Sequence, residues 1–272
     1  MPVRNVRPGP RVLTAALCAT LALIGYVKLS HEQPEPKAPP GARAAAAKNA
    51  GPEASSASSV PPASAGDPAS PGTVPASVPP GVGPVTRTRI PDGTSQVFVV
   101  TGRTQDSNVA TASLYERDGA GKWNRTAGPW PAHNALRGWT DDHRAGDLRT
   151  PTGVFRLGDA GGRLPDPGAK LPYDQDEEFV SPGVGFLGEP LEGSFDYVVA
   201  IDYNRVPGTT PLNKERPLGL ERGGGVWVHV DHGGPTQACV SLTADVMREF
   251  LRALDPAREP VIVMGPAAEI GR

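Results

Sequence analysis

From His31 to about Thr88 the chain carries almost no large apolar side chain, and this stretch sets the limits on what can fold. Pro, Ala, Ser and Gly dominate it, with Pro39-Pro40, Pro61-Pro62 and Pro79-Pro80 recurring along its length. Fixing each backbone residue costs about 1–2 kcal/mol of entropy, and without apolar surface to bury nothing offsets that cost. Residues 31–88 are therefore expected to form a disordered, semi-stiff linker. The chain still has 38% hydrophobic residues beside its 33 Gly and 32 Pro, so its apolar content is concentrated elsewhere.

Two regions hold it. Arg4, Arg7 and Arg11 precede the apolar run Val12 to Val27, and Lys28 follows. That arrangement keeps the N-terminus in the cytoplasm and sends the rest across a membrane. No small-x-small cleavage site closes the run, so residues 1–30 are read as a signal anchor in preference to a removed signal peptide. The second region, 89–266, is the expected catalytic or binding domain, followed by a short tail, 267–272. An anchor followed by a long tether places the domain outside the cytoplasm, membrane-anchored or secreted to the cell wall. The 27 basic and 29 acidic residues leave a net charge of −2, without the basic excess of a nucleic-acid binder. Two cysteines are too few for a disulfide framework or a four-thiolate zinc site.

The pattern within 89–266 is mainly β. Gln96–Val100, Thr111–Tyr115, Gly153–Leu157, Tyr197–Ile201, Gly225–Val230 and Pro260–Met264 are apolar or alternating runs of strand length, and Asp118-Gly119 is a turn. Leu242, Val246, Met247, Phe250, Leu251 and Leu254 recur at helical spacing behind Thr243, a capping residue. The Gly-, Pro- and acid-rich stretch 158–190 reads as a long loop or lid. Its run Asp174, Asp176, Glu177, Glu178 lacks the oxygen spacing of a calcium loop.

Cys239 is the most informative residue. In an exported domain it has no partner for a disulfide, because Cys18 lies in the apolar N-terminal run. A buried, inert cysteine is the bland reading. The surroundings favour a reactive one. Alternation along Gly225–Val230 puts Val226, Val228 and Val230 on one face and Trp227 and His229 on the other. After the return Asp231–Ala238, Cys239 is expected just before the helix, whose N-terminus would lower the thiol pKa. His229 then serves as the base and holds the thiolate as an ion pair, and N–H groups around Ala238, Cys239 and Val240 receive an oxyanion.

These residues resemble the L,D-transpeptidase (YkuD-type) catalytic domain family of bacterial envelopes. Val226–His229 followed by Thr236-Gln237-Ala238-Cys239-Val240-Ser241-Leu242 is similar to that family's His strand and Ser/Thr-x-Gly-Cys signature, with Ala238 at the Gly position. Arg149–Phe155 resembles its Thr-Pro-x-Gly-x-Phe strand entry, and Val199–Asn204 the strand and turn before the His. The resemblance implies a β-sandwich-like catalytic domain with one helix after the Cys. It implies that Cys239 attacks a peptidoglycan tetrapeptide stem, releases D-Ala, and passes the acyl group to a neighbouring stem as a 3-3 cross-link, with no cofactor and no metal. Cys239 and His229 would be catalytic. Ala238, Val240, Thr236 and Asp231 would support them, and His232, Gly233, Gly234, Arg149 and Trp227 would contact substrate.

Rival readings remain at this stage. His232 is the competing base, disfavoured because it sits in a loop. Zinc held by His229, His232 and Cys239 is disfavoured because i and i+2 alternation puts ligands three apart on opposite faces of a strand. An L,D-carboxypeptidase of the same fold and a non-catalytic wall-peptide-binding domain are the functional alternatives. His133 and His143, which flank Arg137, Trp139 and Asp141-Asp142, read as a solvated loop around one buried Trp, in preference to a cleft wall that meets substrate carboxylates through Arg137 or Arg149.

Overall fold

The structure, a computed structural model, describes residues 78–272. The readings of residues 1–30 and of most of the linker fall outside the described residues. In chain order the elements are α1 (Pro84–Arg87), β1 (Gln96–Gly102), β2 (Val109–Arg117), β3 (Trp123–His133), β4 (Trp139–Thr140), β5 (Thr150–Pro151) and β6 (Gly153–Arg156). Then follow β7 (Ala160–Gly162), β8 (Tyr173–Gln175), β9 (Val198–Ala200), β10 (Trp227–Val230), β11 (Val240–Leu242), α2 (Ala244–Ala253), β12 (Val261–Pro266) and α3 (Ala267–Ile270). The fold is mainly β. Ten strands form one continuous curled sheet in the order β6-β12-β1-β2-β3-β11-β10-β9-β7-β8, and β4 and β5 pair separately.

The central strand explains why its sequence lacks alternation. In β1, Phe98 and Val100 join a large core with Leu114, Val228, Leu242 and the α2 residues Met247, Phe250 and Leu251. Val97 and Val99 face a second core with Tyr115, Trp123, Val261 and Val263. A strand buried on both faces needs apolar residues at every position, and β1 pairs in parallel with β12. Helix α2 packs one apolar stripe on the sheet, with the Phe250 ring centroid 4.3 Å from that of Phe98. Thr243 is its N-cap residue, although its side chain makes no capping hydrogen bond.

Three expectations are corrected. The domain starts before Arg89: Val82 and Ile90 are buried, and the Gly83 N–H donates to the Ile270 carbonyl. Residues 267–272 are not a loose tail but carry α3 and bury Ile270 in the second core. The two ends thus close over one sheet face, and Ile270→Ala should lower unfolding free energy by about 2 kcal/mol, read from the urea midpoint. The third correction is local to the site. Cys239 is followed by strand β11, not by the helix, and α2 begins only at Ala244.

Candidate active site

Parallel pairing of β10 with β11 sets Val228 beside Val240 and His229 beside Ser241. Continuing that register places Cys239 next to Trp227. The valines enter the core, as the alternation in β10 predicts. On the opposite face the Trp227 backbone N–H donates to Cys239 Sγ at 3.4 Å, and Sγ lies 3.7 Å from the Gly225 carbonyl oxygen. The Trp227 ring packs on Phe179 and Phe195, so Trp227 serves the sulfur through its backbone.

The Cys239 loop is held from the side of β5. The Thr236 hydroxyl donates to the Cys239 carbonyl at 2.7 Å, and the Thr150 hydroxyl donates to the same oxygen at 3.3 Å. Thr150 also accepts from the Ala135 N–H, while Thr236 exchanges backbone bonds with Asn134 and Leu136. The Thr150-Pro151 segment carries the strand-entry motif, and its grip on the cysteine loop, 89 residues away, leaves no local signal in the sequence. Ala238 does not have a positive φ, so its Cβ carries no left-handed strain. Among the described residues, nothing accepts a hydrogen bond from the Gln237 or Ala238 N–H, and both residues line the cavity described below. Val240 is buried in β11 and does not line it.

His229 is 3% exposed, clamped edge-on by Phe195 and stacked 5.9 Å from the His232 ring. Its Nδ1 is 2.9 Å from the Val230 carbonyl oxygen. A carbonyl can only accept, so Nδ1 carries the proton and Nε2 keeps a lone pair. That tautomer suits a general base. Asp231 does not orient His229. Its Oδ1 accepts from His133 Nδ1 at 2.8 Å and from the Ser241 hydroxyl at 2.7 Å, tying together the ends of β3, β10 and β11. Burial pushes the Asp231 carboxyl up, but the His133 and Ser241 bonds outweigh it and leave it below the usual carboxylate range.

A cavity of about 470 Å³ brings His229, His232, Thr236, Ala238 and Cys239 together. Its walls come from 143–148, 181–195 and 223–225. His232 Nδ1 lies 3.1 Å from Glu189 Oε1, with both side chains largely buried. Glu189 arrives on the stretch read as a lid, and nothing in the sequence paired it with a histidine 43 residues away. A Cβ on Gly234 would lie 2.1 Å from this carboxylate, so Gly234 makes room for Glu189. Gly233 takes a positive φ of 86° in the same turn. Neither glycine lines the cavity, which corrects their expected substrate contact. Arg149 is corrected likewise: it pairs with Asp106 at 2.9 Å and donates to the Trp139 carbonyl. His133 and His143 are not in a solvated loop either. The first is bound to Asp231, and the second is 3% exposed and faces the cavity.

Burial dominates the electrostatics. It pushes the Cys239 thiol up to about 11, only partly offset by the Trp227 N–H. It pushes the His229 imidazole down to about 4, against the opposing pull of the Val230 carbonyl. At neutral pH the resting pair is thiol and neutral imidazole, not the expected ion pair. The same burial has a stability consequence. Between pH 6.5 and 4 the unfolded His229 takes up a proton that the folded one refuses, so stability present above 6.5 is lost as pH falls towards 4. The loss attributable to His229 is about 3 kcal/mol. Urea unfolding of wild type and His229→Asn at pH 7 and pH 4.5 should show the smaller drop in the variant.

No family model matches the chain, and no curated protein or solved structure does either. The chemistry of the site therefore rests on its own geometry. A thiol, an imidazole and two N–H groups without acceptors share one cavity. Among the described residues, no group of three or more His, Cys, Asp or Glu side chains is placed to hold a metal ion. No helix among them is long and apolar enough to cross a membrane.

Proposed function

We propose that this chain is a peptidoglycan L,D-transpeptidase that works through a thioester on Cys239. The observation that carries the reading is the cavity shared by Cys239 and His229, with Nδ1 of His229 committed to a carbonyl and Nε2 left as base. In the first half-reaction Sγ attacks the carbonyl carbon of the third stem residue. His229 Nε2 takes the thiol proton, the Gln237 and Ala238 N–H groups stabilise the oxyanion, and the proton passes to the departing D-Ala amine. In the second, the amine of a neighbouring stem attacks the thioester, forms the amide and releases Sγ. The ordered motifs around Thr150, His229 and Cys239 support the transpeptidase-like fold, and the N-terminal anchor and linker read from the sequence support placement at the cell wall.

Incubation of the full chain with purified tetrapeptide muropeptides tests this. Mass spectrometry should find free D-Ala and dimers cross-linked between third-position diamino acids. Release of D-Ala without dimers would make the chain a carboxypeptidase. Neither product, together with retained binding, would make it a wall-peptide-binding domain.

A further inference from the structure

His143 stands on the cavity wall outside the residues assigned to acylation, and it is fixed more firmly than a loop histidine requires. Its Nδ1 lies 3.0 Å from Asp147 Oδ1. Asp147 is itself immobilised, since its carboxylate accepts the Arg144 N–H at 2.8 Å and the Arg149 N–H at 2.9 Å. The imidazole meets the Tyr203 ring edge-on at 5.3 Å, and the Tyr203 hydroxyl donates to the Arg222 carbonyl at 2.9 Å. Gly223 closes the other side: at its φ of 65° a Cβ would come within 2.8 Å of His143 Nε2. Asn204, in the turn after β9, secures that wall by donating to the Gly219 and Gly223 carbonyls.

The Asp147 carboxylate, 3.0 Å from Nδ1 but without hydrogen-bond geometry, draws the ring proton to that nitrogen by its charge and leaves the lone pair on Nε2. The Gly223 backbone lies against Nε2, and His143, Gly223, Gly225 and Cys239 line the same cavity. Burial lowers the His143 pKa, against the opposing charge of Asp147. The Gly225 carbonyl touches Sγ from this wall, whereas His229 and His232 stack on each other. No Lys, Arg, Asp or Glu lines the cavity, so an incoming amine finds proton acceptors there only in imidazoles.

We propose that His143, positioned by Asp147, is the general base for the acyl acceptor in the second half-reaction. The inference rests on the thioester reading above. As the acceptor amine, in its neutral form, attacks the thioester carbonyl, the new C–N bond forms and the C–S bond breaks. The amine proton goes to His143 Nε2, the sulfur leaves with the bonding pair, and solvent returns the proton to Sγ. His229 serves acylation and His143 serves resolution.

Pre-steady-state mass spectrometry of the full chain with a tetrapeptide stem separates the two steps, because the Cys239 adduct can be watched forming and disappearing. In His143→Gln the adduct should form at the wild-type rate, which also reports an intact fold, and should convert to cross-linked product ~100-fold more slowly or worse. Asp147→Asn should slow conversion in the same direction, because the imidazole loses the charge behind its Nδ1. Conversion at the wild-type rate in His143→Gln, or equal loss of both steps, would overturn the assignment. A wild-type chain that forms no adduct would instead overturn the thioester reading, and this inference with it.

Discussion

Cys239→Ala should abolish turnover, by about 10⁴-fold or more, without unfolding the domain. The size of the loss follows from the proposed role of the sulfur as the atom that bonds to the acyl group; no other nucleophile replaces it, since Ser241 is fully buried with its hydroxyl committed to Asp231. The retained fold follows from how little Sγ holds. It accepts one backbone N–H, from Trp227, and approaches one carbonyl, at Gly225. Losing that acceptor costs about 1–2 kcal/mol, while the Cys239 carbonyl stays anchored by Thr236 and Thr150. Release of D-Ala from tetrapeptide stems, measured beside a circular dichroism melt, separates the two effects. A variant that loses activity only because it melts would leave the chemical role of the thiol unsupported.

His229→Ala should lower the rate of Cys239 acylation by about 10²–10⁴-fold. The resting thiol has its pKa near 11, so almost no thiolate exists at neutral pH without a base to accept the proton. His229 is suited to that task by its Val230 bond and by its place beside the cysteine loop. His232 is the internal control. Its Nδ1 is bound to Glu189 and its ring lies flat against His229, so His232→Ala disturbs the surroundings of the base while leaving Nε2 of His229 in place. Its effect on acylation should be at least tenfold smaller. Near-normal acylation in His229→Ala with a large loss in His232→Ala would exchange the two roles.

Much of this arrangement was legible in the sequence, for identifiable reasons. The six strands read as apolar or alternating runs are all present, because burial on one or both sheet faces writes its period directly into the residues. β3 was not legible: Gly128, Pro129 and Pro131 interrupt it, and register shifts around Leu114 let the pairing with β2 absorb them. β11 was hidden because Val240-Ser241-Leu242 runs into the apolar spacing of α2, and this misplaced the cysteine at a helix end. That His229 and Cys239 line one cavity could be anticipated because alternation and a short loop are local signals. The bonds of Glu189 to His232, Thr150 to the Cys239 carbonyl and His133 to Asp231 join residues tens of positions apart. Spacing carries no trace of such contacts. The direction of the pKa shifts was missed for the same reason, since the burial that drives them is supplied by distant segments such as 181–195.

The most direct measurement is the intact mass of the full chain after brief incubation with a tetrapeptide stem and an acid quench. The account predicts a mass increase equal to the stem without its terminal D-Ala, localised by peptide mapping to Cys239, absent in Cys239→Ala and strongly reduced in His229→Ala. An unmodified Cys239 in a wild-type sample that has released D-Ala, or an adduct that forms equally well without His229, would contradict it.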